Sequence, residues 1–285
     1  MTSSAGRPVT VVVDSTSDLT SGLLERNGIV AVPLTVSFGD QSYKDDIDLT
    51  RAGFLEKLTI TAVTPTTSQP PVTAFVDAFR ATLDAGNDVV CLTIAQELSG
   101  TFNAARLAAE SLDPDRIRIV DSRTVSIHTG FGALAAARAA TEGAGMEEVA
   151  ETAIATLARG QIFVVLETLE YLRKGGRIGK AQALVGSVLS LKPVLTIRNG
   201  EVVPLERVRT WRKALERIAE LVREQGPLEA LALYHVGNQS DAQVMAERLS
   251  DLVPLAEIVI GEIGSVVTTY AGPGALGVVP VRRAP

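Results

Sequence analysis

Strand-like apolar runs alternate with helical segments through the first half of the chain. Val9–Val13 is a continuous run with many β-branched residues, and Asp88–Ile94 is a second run of mostly apolar residues. Unbroken runs of this length are typical of parallel strands that are buried on both faces. Segments with helical periodicity follow these runs, among them Leu19–Arg26 and Phe102–Ser111. The alternation predicts a parallel sheet with helices on both faces.

The pattern changes near residue 160, beyond which an antiparallel element enters. The dipeptide Asn199-Gly200 separates the strand-like segments Pro193–Ile197 and Val202–Leu205. Asn-Gly is favoured in two-residue hairpin turns, where both positions take positive φ. We therefore predict an α/β protein of two domains: an N-terminal three-layer α/β/α domain with a parallel sheet over residues 8–160, and a C-terminal two-layer α/β domain with a mixed sheet over residues 161–283. Clefts between such domains commonly hold ligands, so we expect the ligand there.

Composition narrows the classes of function. The chain has 285 residues, a net charge of −6 and only 4% aromatic residues, which argues against nucleic-acid binding. No apolar run approaches the roughly 18 residues needed to span a bilayer. The first ten residues lack the apolar stretch of a signal peptide. These features predict a cytoplasmic protein.

Few side chains suited to metal binding or nucleophilic catalysis are present. The chain has one cysteine, Cys91, and two histidines, His128 and His235. It contains no CxxC, HExxH, GxSxG, P-loop or GxGxxG pattern. We therefore expect no metal site and no cysteine nucleophile, and binding gains weight over catalysis. A structural role and a place in a ligand cleft are both open for each histidine.

A basic turn stands between two apolar runs in the second half of the chain. Arg173-Lys174-Gly175-Gly176-Arg177 concentrates three cations around two glycines. Glycines permit positive φ and a close approach of backbone, so the cations could be held at one place against an anionic group. A solvated connection between two elements would have the same composition.

Four other segments lie where a ligand could bind, and all of them are also compatible with ordinary turns or helix caps. Hydroxyl and backbone N–H groups at helix starts satisfy the helix end or bind an anion with the same atoms. The segments are Asp14–Asp18 after the first strand, the hydroxyl-rich Thr64–Pro71, the tetrapeptide Leu98–Thr101 and the glycine-rich Gly272–Gly277.

Taken in order, five segments resemble the DegV family, whose members include the fatty-acid-binding subunits of bacterial fatty acid kinase. The segments are DST-x-DL, TSQP, LSGT, LEYL-x-KGGRI-x-KAQAL and GPGALG, and together they span nearly the whole chain. The resemblance implies a two-domain binding protein that encloses a fatty acid and is not itself an enzyme. A separate ATP-dependent kinase would phosphorylate the bound carboxylate, giving an acyl phosphate for phospholipid synthesis.

The resemblance also implies roles for individual residues. Thr67 of TSQP and Ser99 of LSGT would hydrogen-bond the fatty acid carboxylate. Arg177 of KGGRI and Arg207 of LERVR would be cations near the phosphoryl-transfer end or contacts of the partner, although Arg209 lies close enough to compete with Arg207 in the alignment. The expected partners are a long-chain fatty acid, the kinase catalytic subunit and, transiently, a membrane surface. No cofactor is implied.

The chain departs from the family pattern at two places. Tyr270 stands where the family usually has a histidine two residues before GPG. A tyrosine can donate a hydrogen bond to a carboxylate, but at neutral pH it supplies neither a positive charge nor an easily exchanged proton. Glu97 stands close before LSGT, where small hydroxyl residues are common, and adds a negative charge near the proposed carboxylate site.

Two other functions fit the same sequence. An enzyme related to dihydroxyacetone kinases, whose substrate domain the DegV fold resembles, would need a histidine that captures a carbonyl group. A small-molecule sensor would use the basic turn to dock a regulatory protein. Turnover with ATP by the isolated protein would separate the enzyme from the carrier.

Overall fold

A computed structural model describes residues 6–184 and 191–284 of the protein. The strands in chain order are β1 (Val9–Asp14), β2 (Val30–Val32), β3 (Thr35–Phe38), β4 (Gln41–Lys44), β5 (Thr66–Ser68), β6 (Asp88–Thr93), β7 (Ile117–Asp121), β8 (Phe163–Val165), β9 (Lys192–Arg198), β10 (Glu201–Val208), β11 (Leu228–His235), β12 (Val259–Glu262) and β13 (Leu276–Arg282). The α-helices are α1 (Ser21–Arg26), α2 (Arg51–Ile60), α3 (Val72–Asp84), α4 (Thr101–Glu110), α5 (Ile127–Thr141), α6 (Met146–Arg159), α7 (Glu170–Lys174), α8 (Trp211–Arg223), α9 (Gln239–Arg248) and α10 (Ser265–Ala271).

The chain divides into two compact units. The first comprises Met1–Thr35 and Ser68–Ala158, and the second comprises Val36–Thr67 and Arg159–Pro285. This division differs from the continuous domain over residues 8–160 that the sequence suggested, because the segment from Val36 to Thr67 belongs to the second unit. The membership of this segment in the second unit depends on contacts between strands and helices that are distant in sequence, and local periodicity does not reveal such contacts.

The first unit is built on a parallel sheet with the strand order β2-β1-β6-β7 in the described residues. Apolar side chains of α3 and α4 pack with Val12, Val89 and Cys91 on one face. The alternating residues Val11 and Val13 are also buried, and α5 packs against β1 and β6. Helices therefore cover both faces, as predicted from the unbroken apolar runs.

Asp14 ties the ends of the two central strands together. Its Oδ1 accepts hydrogen bonds from the Thr16 N–H at 2.9 Å and the Thr16 hydroxyl at 2.5 Å, and its Oδ2 accepts one from the Ile94 N–H at 2.7 Å. Burial raises the pKa of the Asp14 carboxyl, and these hydrogen bonds oppose that rise. The carboxylate is thus used in capping the short 3₁₀ turn after β1 and in joining β1 to β6.

The second unit contains a mixed sheet with the strand order β10-β9-β8-β13-β11-β12 in the described residues. β11 and β12 are parallel, and the pairs β10/β9, β9/β8, β8/β13 and β13/β11 are antiparallel. Helices α8 and α9 pack their buried faces on this sheet, around a core that includes Phe163, Ile218, Leu233 and Met245. A smaller sheet has the order β4-β3-β5. The predicted α/β class, with one parallel and one mixed sheet, is confirmed.

The predicted hairpin is present. Asn199 and Gly200 have φ angles of 51° and 79° and join β9 to β10, with Arg198 paired to Glu201. Positive φ at both positions is the geometry that Asn-Gly favours. Local turn chemistry was therefore enough to locate this element.

Several local predictions were wrong. The apolar segment Ile29–Val36 predicts one strand with Pro33 at an edge or a bend, but it forms two strands, β2 and β3, which lie in different sheets on either side of Pro33. Part of the segment interpreted as a hydroxyl-rich loop forms β5, and α10 was not predicted. The sequence also predicts a helix over Ala181–Leu191; its first four residues belong to a 3₁₀ helix over Gly179–Leu184, and residues 185–190 lie outside the described part of the chain.

His128 has a structural role in the first unit. Its Nε2 lies 3.1 Å from the Leu157 carbonyl oxygen, which can only accept, so Nε2 carries the proton. Its Nδ1 therefore accepts from the Thr124 hydroxyl at 2.9 Å. Burial lowers the pKa of His128 to about 4, and the bond to Leu157 opposes that shift. The neutral ring thus links α5 to α6.

This arrangement predicts an acid-sensitive fold. An unfolded histidine binds a proton near its ordinary pKa of 6.5, whereas folded His128 does so only at about 4. The unfolded state therefore binds more protons between these values, and stability falls as the pH is lowered through that window. We expect His128→Gln to remove up to about 3 kcal/mol of the pH dependence of the unfolding free energy. Urea unfolding between about pH 7 and about pH 4 measures this dependence, and an NMR titration of the His128 ring with a midpoint above about 6 would contradict it.

Candidate ligand-binding site

A pair of hydroxyl groups lies at the centre of the candidate site in the second unit. The Thr67 Oγ1 on β5 and the Tyr270 hydroxyl on α10 are 2.6 Å apart. Both residues are partly buried. In a hydroxyl pair one group donates and the other accepts, so the accepting hydroxyl can still donate its own proton to a third group. The two groups are suited to donating together to one acceptor that carries negative charge.

Helix α10 fixes the position of Tyr270. The Thr268 hydroxyl donates to the Ile263 carbonyl at 3.2 Å, and the Thr269 hydroxyl donates to the Ser265 carbonyl at 2.9 Å. Gly272 follows the helix with a φ of 75°, a conformation that favours glycine. The chain therefore turns directly after Tyr270 and enters the glycine-rich segment and then β13.

The basic turn packs directly on the Tyr270 ring. A Cβ placed on Gly175 would lie 2.4 Å from Tyr270 Cδ1, so only a glycine lets the ring and the backbone come so close. The Arg177 guanidinium carbon lies 5.2 Å from the ring centroid, within the range of a cation–π contact. One aromatic ring thus contacts two residues of the basic turn while its hydroxyl contacts Thr67.

A second ring makes the reciprocal contact. A Cβ on Gly272 would lie 2.3 Å from Cδ2 of Tyr171, which belongs to α7. Each tyrosine therefore lies against a glycine of the other segment. These close contacts interlock α7 and the basic turn with α10 and the glycine-rich segment.

The cations of the turn are not equivalent. Arg173 and Lys174 form ion pairs with Glu170 one helical turn earlier, at 2.9 Å and 3.5 Å. The hydrogen bond from Arg173 holds the pKa of the Glu170 carboxyl below its ordinary value. Arg177 instead donates to the Gly175 carbonyl at 2.9 Å and stacks on Tyr270. The three cations therefore do not form one cluster facing a single anion.

Ser99 lies in the first unit, just before α4. Its Oγ is 2.9 Å from the Thr101 hydroxyl and accepts a long bond from the Thr101 N–H at 3.4 Å. The neighbouring Gly100 lies against Gln69, since a Cβ there would be 2.0 Å from the Gln69 Oε1. The TSQP and LSGT segments thus meet within the first unit through Gln69 and Gly100. Glu97 is exposed.

The remaining candidates lie elsewhere. Arg207 is exposed at the end of β10 and donates to the Ala183 carbonyl at 3.2 Å. His235 is buried at the end of β11, and its Nδ1 accepts from the Asn238 N–H at 3.3 Å. Burial lowers the pKa of His235, while Glu262 raises it. No contact in the described residues brings either side chain to the hydroxyl pair.

The described residues contain neither a metal-binding cluster nor a membrane-spanning helix. No group of three or more His, Cys, Asp or Glu side chains in residues 6–184 and 191–284 could hold a metal ion. Within the same residues, no helix has the length and apolar character needed to cross a membrane.

Comparison with known proteins places this chain in a family. The sequence profile described as "Uncharacterised protein, DegV family" matches residues 8–283. The chain belongs to the DegV family. A DegV domain-containing protein of Streptomyces coelicolor is 39% identical over 281 residues, which cover 97% of this chain and 99% of the relative.

Solved structures of DegV proteins are similar over the same length. A DegV family protein from Thermus thermophilus, described by its fatty acid binding, has 34% identity and a TM-score of 0.89, with 97% of this chain and 100% of that chain covered. DegV from Bacillus subtilis, described as a fatty acid binding protein, has 31% identity and a TM-score of 0.89, with 98% and 100% covered.

Sequence reasoning found some of these residues and missed others. Thr67, Arg177 and Tyr270 were predicted individually, and the structure brings them together through one ring. Tyr171 was missed, and so were the contacts that give Gly175 and Gly272 a packing role. The Tyr and Gly residues of the two DegV segments were only a weak signal of these contacts, because neither segment's sequence indicates that it packs against the other.

Proposed function

We propose that this protein binds a long-chain fatty acid, leaves it chemically unchanged, and presents its carboxylate to a separate ATP-dependent fatty acid kinase. The observation that carries the proposal is the pair of neutral hydroxyls, Thr67 and Tyr270, 2.6 Å apart in a DegV protein. The fatty acid binding described for the relatives from Thermus thermophilus and Bacillus subtilis supports the same ligand class.

The physical chemistry of a fatty acid suits this assignment. Burying an acyl chain contributes about 0.8 kcal/mol per methylene, reduced by the cost of association and ordering. A buried carboxylate is unfavourable unless hydrogen-bonded, and hydroxyl donors supply those bonds without bringing a charge. Thr67 and Tyr270 are therefore proposed to hold the carboxylate, and Ser99 is proposed as a further donor on the basis of its LSGT motif.

The kinase part of the proposal concerns the cations. Arg177 and Arg207 are proposed to contact the kinase or the phosphoryl group when the acyl phosphate forms. Because Arg177 stacks on the ring of Tyr270, it is the better supported of the two. A cytoplasmic protein with transient membrane contact, and no cofactor of its own, fits delivery of an acyl phosphate to phospholipid synthesis.

The dihydroxyacetone-kinase-like alternative is less well supported. It needs a histidine whose ring can attack a carbonyl group. Both ring nitrogens of His128 are hydrogen-bonded within the protein, and Nδ1 of His235 accepts a backbone N–H. The basic turn leaves the sensor alternative open, and phosphorylation of the bound ligand by a partner kinase distinguishes the carrier from the sensor.

Alanine substitutions test the carboxylate assignment. We expect Thr67→Ala and Ser99→Ala each to weaken fatty acid binding by about 1–3 kcal/mol, because a buried anion loses a donor. Thr66→Ala is the matched control, since Thr66 is the exposed neighbour on the same strand. Displacement of a fluorescent fatty acid measures the affinities. Affinity unchanged in both test variants would refute the assignment.

A separate variant tests the handover to the kinase. We expect Arg177→Ala to leave fatty acid affinity nearly unchanged and to lower the rate of phosphorylation by the kinase about tenfold or more, because the lost cation would act on the phosphoryl group or the partner. Arg198→Ala, which removes an exposed cation from the β9–β10 hairpin, is the control. Equal losses of affinity and phosphorylation would contradict the separation of roles.

A further inference from the structure

Tyr270 has two chemically different ends, and each contacts a different functional segment. The hydroxyl lies 2.6 Å from Thr67, and the ring lies under Arg177 and against Gly175. The fatty acid carboxylate and the basic turn would therefore meet the same side chain.

The Tyr270 ring packs closely against Gly175 of the basic turn. A Cβ on Gly175 would be 2.4 Å and 2.5 Å from two ring carbons of Tyr270, well inside ordinary van der Waals contact. The backbone N–H groups of Gly175, Gly176 and Arg177 are bonded to the carbonyls of Tyr171, Arg173 and Leu172, so the turn continues the hydrogen bonding of α7. A shift of the ring would therefore be passed to the turn rather than absorbed in a gap.

Ligand binding changes the hydrogen bonding of the hydroxyl end. Without a ligand, one hydroxyl of the Thr67–Tyr270 pair must accept from the other. A carboxylate accepts several hydrogen bonds, so both hydroxyls can donate to it and the bond between them is no longer required. The two oxygens are then no longer held 2.6 Å apart by a bond between them, so the Tyr270 hydroxyl can move towards the carboxylate and its ring can shift with it.

We propose that Tyr270 is a positioning residue that couples carboxylate binding at Thr67 to the position of Arg177 in the basic turn. The inference rests on the proposed fatty acid binding and extends it from the ligand to the basic turn that a partner would recognise. A partner that recognises the turn would thereby distinguish the loaded protein from the empty one. The hydroxyl of Tyr270 would respond to the ligand by hydrogen bonding, and its ring would transmit the resulting shift to the turn by packing.

Hydrogen exchange of the backbone amides of Gly175, Gly176 and Arg177 tests the coupling. The full chain is stripped of lipid, and exchange is measured with and without saturating palmitate or oleate, with occupancy checked by native mass spectrometry. We expect fatty acid to slow exchange of these amides by about tenfold in the unmodified protein. The Tyr270→Phe variant, loaded with the same fatty acid, should lose this response and keep the exchange rate of the empty protein.

Two further variants separate the ring from the hydroxyl and from general effects. Tyr270→Leu removes the ring and should speed exchange of the turn even without ligand. Tyr43→Phe is the matched control: the Tyr43 hydroxyl donates to the Gln41 side chain at 2.9 Å and Lys57 lies 5.6 Å from its ring centroid, so a tyrosine with the same two kinds of contact loses its hydroxyl elsewhere in the chain. This control should respond to fatty acid as the unmodified protein does.

The outcomes distinguish the inference from the proposed function. A loaded, unmodified protein whose turn exchanges at the empty rate overturns the coupling and leaves fatty acid binding intact. A Tyr270→Phe variant that still responds fully also overturns it. Absence of any bound fatty acid in the unmodified protein refutes the proposed function, and the coupling falls with it.

Discussion

The contact of Tyr270 with Thr67 and Gly175 is the interaction on which the candidate site depends. Its hydroxyl meets β5 and its ring meets the basic turn, so one side chain holds together segments distant in sequence. Tyr171 makes the reciprocal contact with Gly272. Because neither glycine could carry a Cβ without displacing a ring, the two DegV segments act as one packed element. The site therefore follows from packing as much as from polar chemistry.

In the candidate site, the hydroxyl groups of Thr67 and Tyr270 bring no charge, and the basic turn brings the cations. Tyr270 offers a hydroxyl where the family pattern usually has a histidine, and Thr67 of the TSQP motif offers a second hydroxyl. Donors without charge still stabilise an anion, since a charged acceptor strengthens each hydrogen bond. The guanidinium of Arg177 lies over the ring of Tyr270, and Arg173 and Lys174 form ion pairs with Glu170. Ligand binding and partner recognition would thus use different faces of one residue.

Local sequence patterns predicted the elements that have a strong local signal. The unbroken run of β1 identified a parallel strand, and Asn199-Gly200 located the β9–β10 hairpin. The patterns failed where tertiary contacts decide: β5 is too short to show periodicity, and α10 (Ser265–Ala271) is rich in β-branched residues with low helix propensity. Thr67 and Tyr270 lie on these two elements. Motifs could therefore name the site residues, but only the fold shows that one ring joins them.

Native and denaturing mass spectrometry of the purified protein shows directly whether it carries a bound fatty acid. Native spectra give the mass of the loaded chain, and denaturing extraction identifies what was bound. We expect one fatty acid per chain, released by denaturation and replaced when the stripped protein is offered a panel of fatty acids. A protein that is purified empty and remains empty with every member of the panel would contradict it.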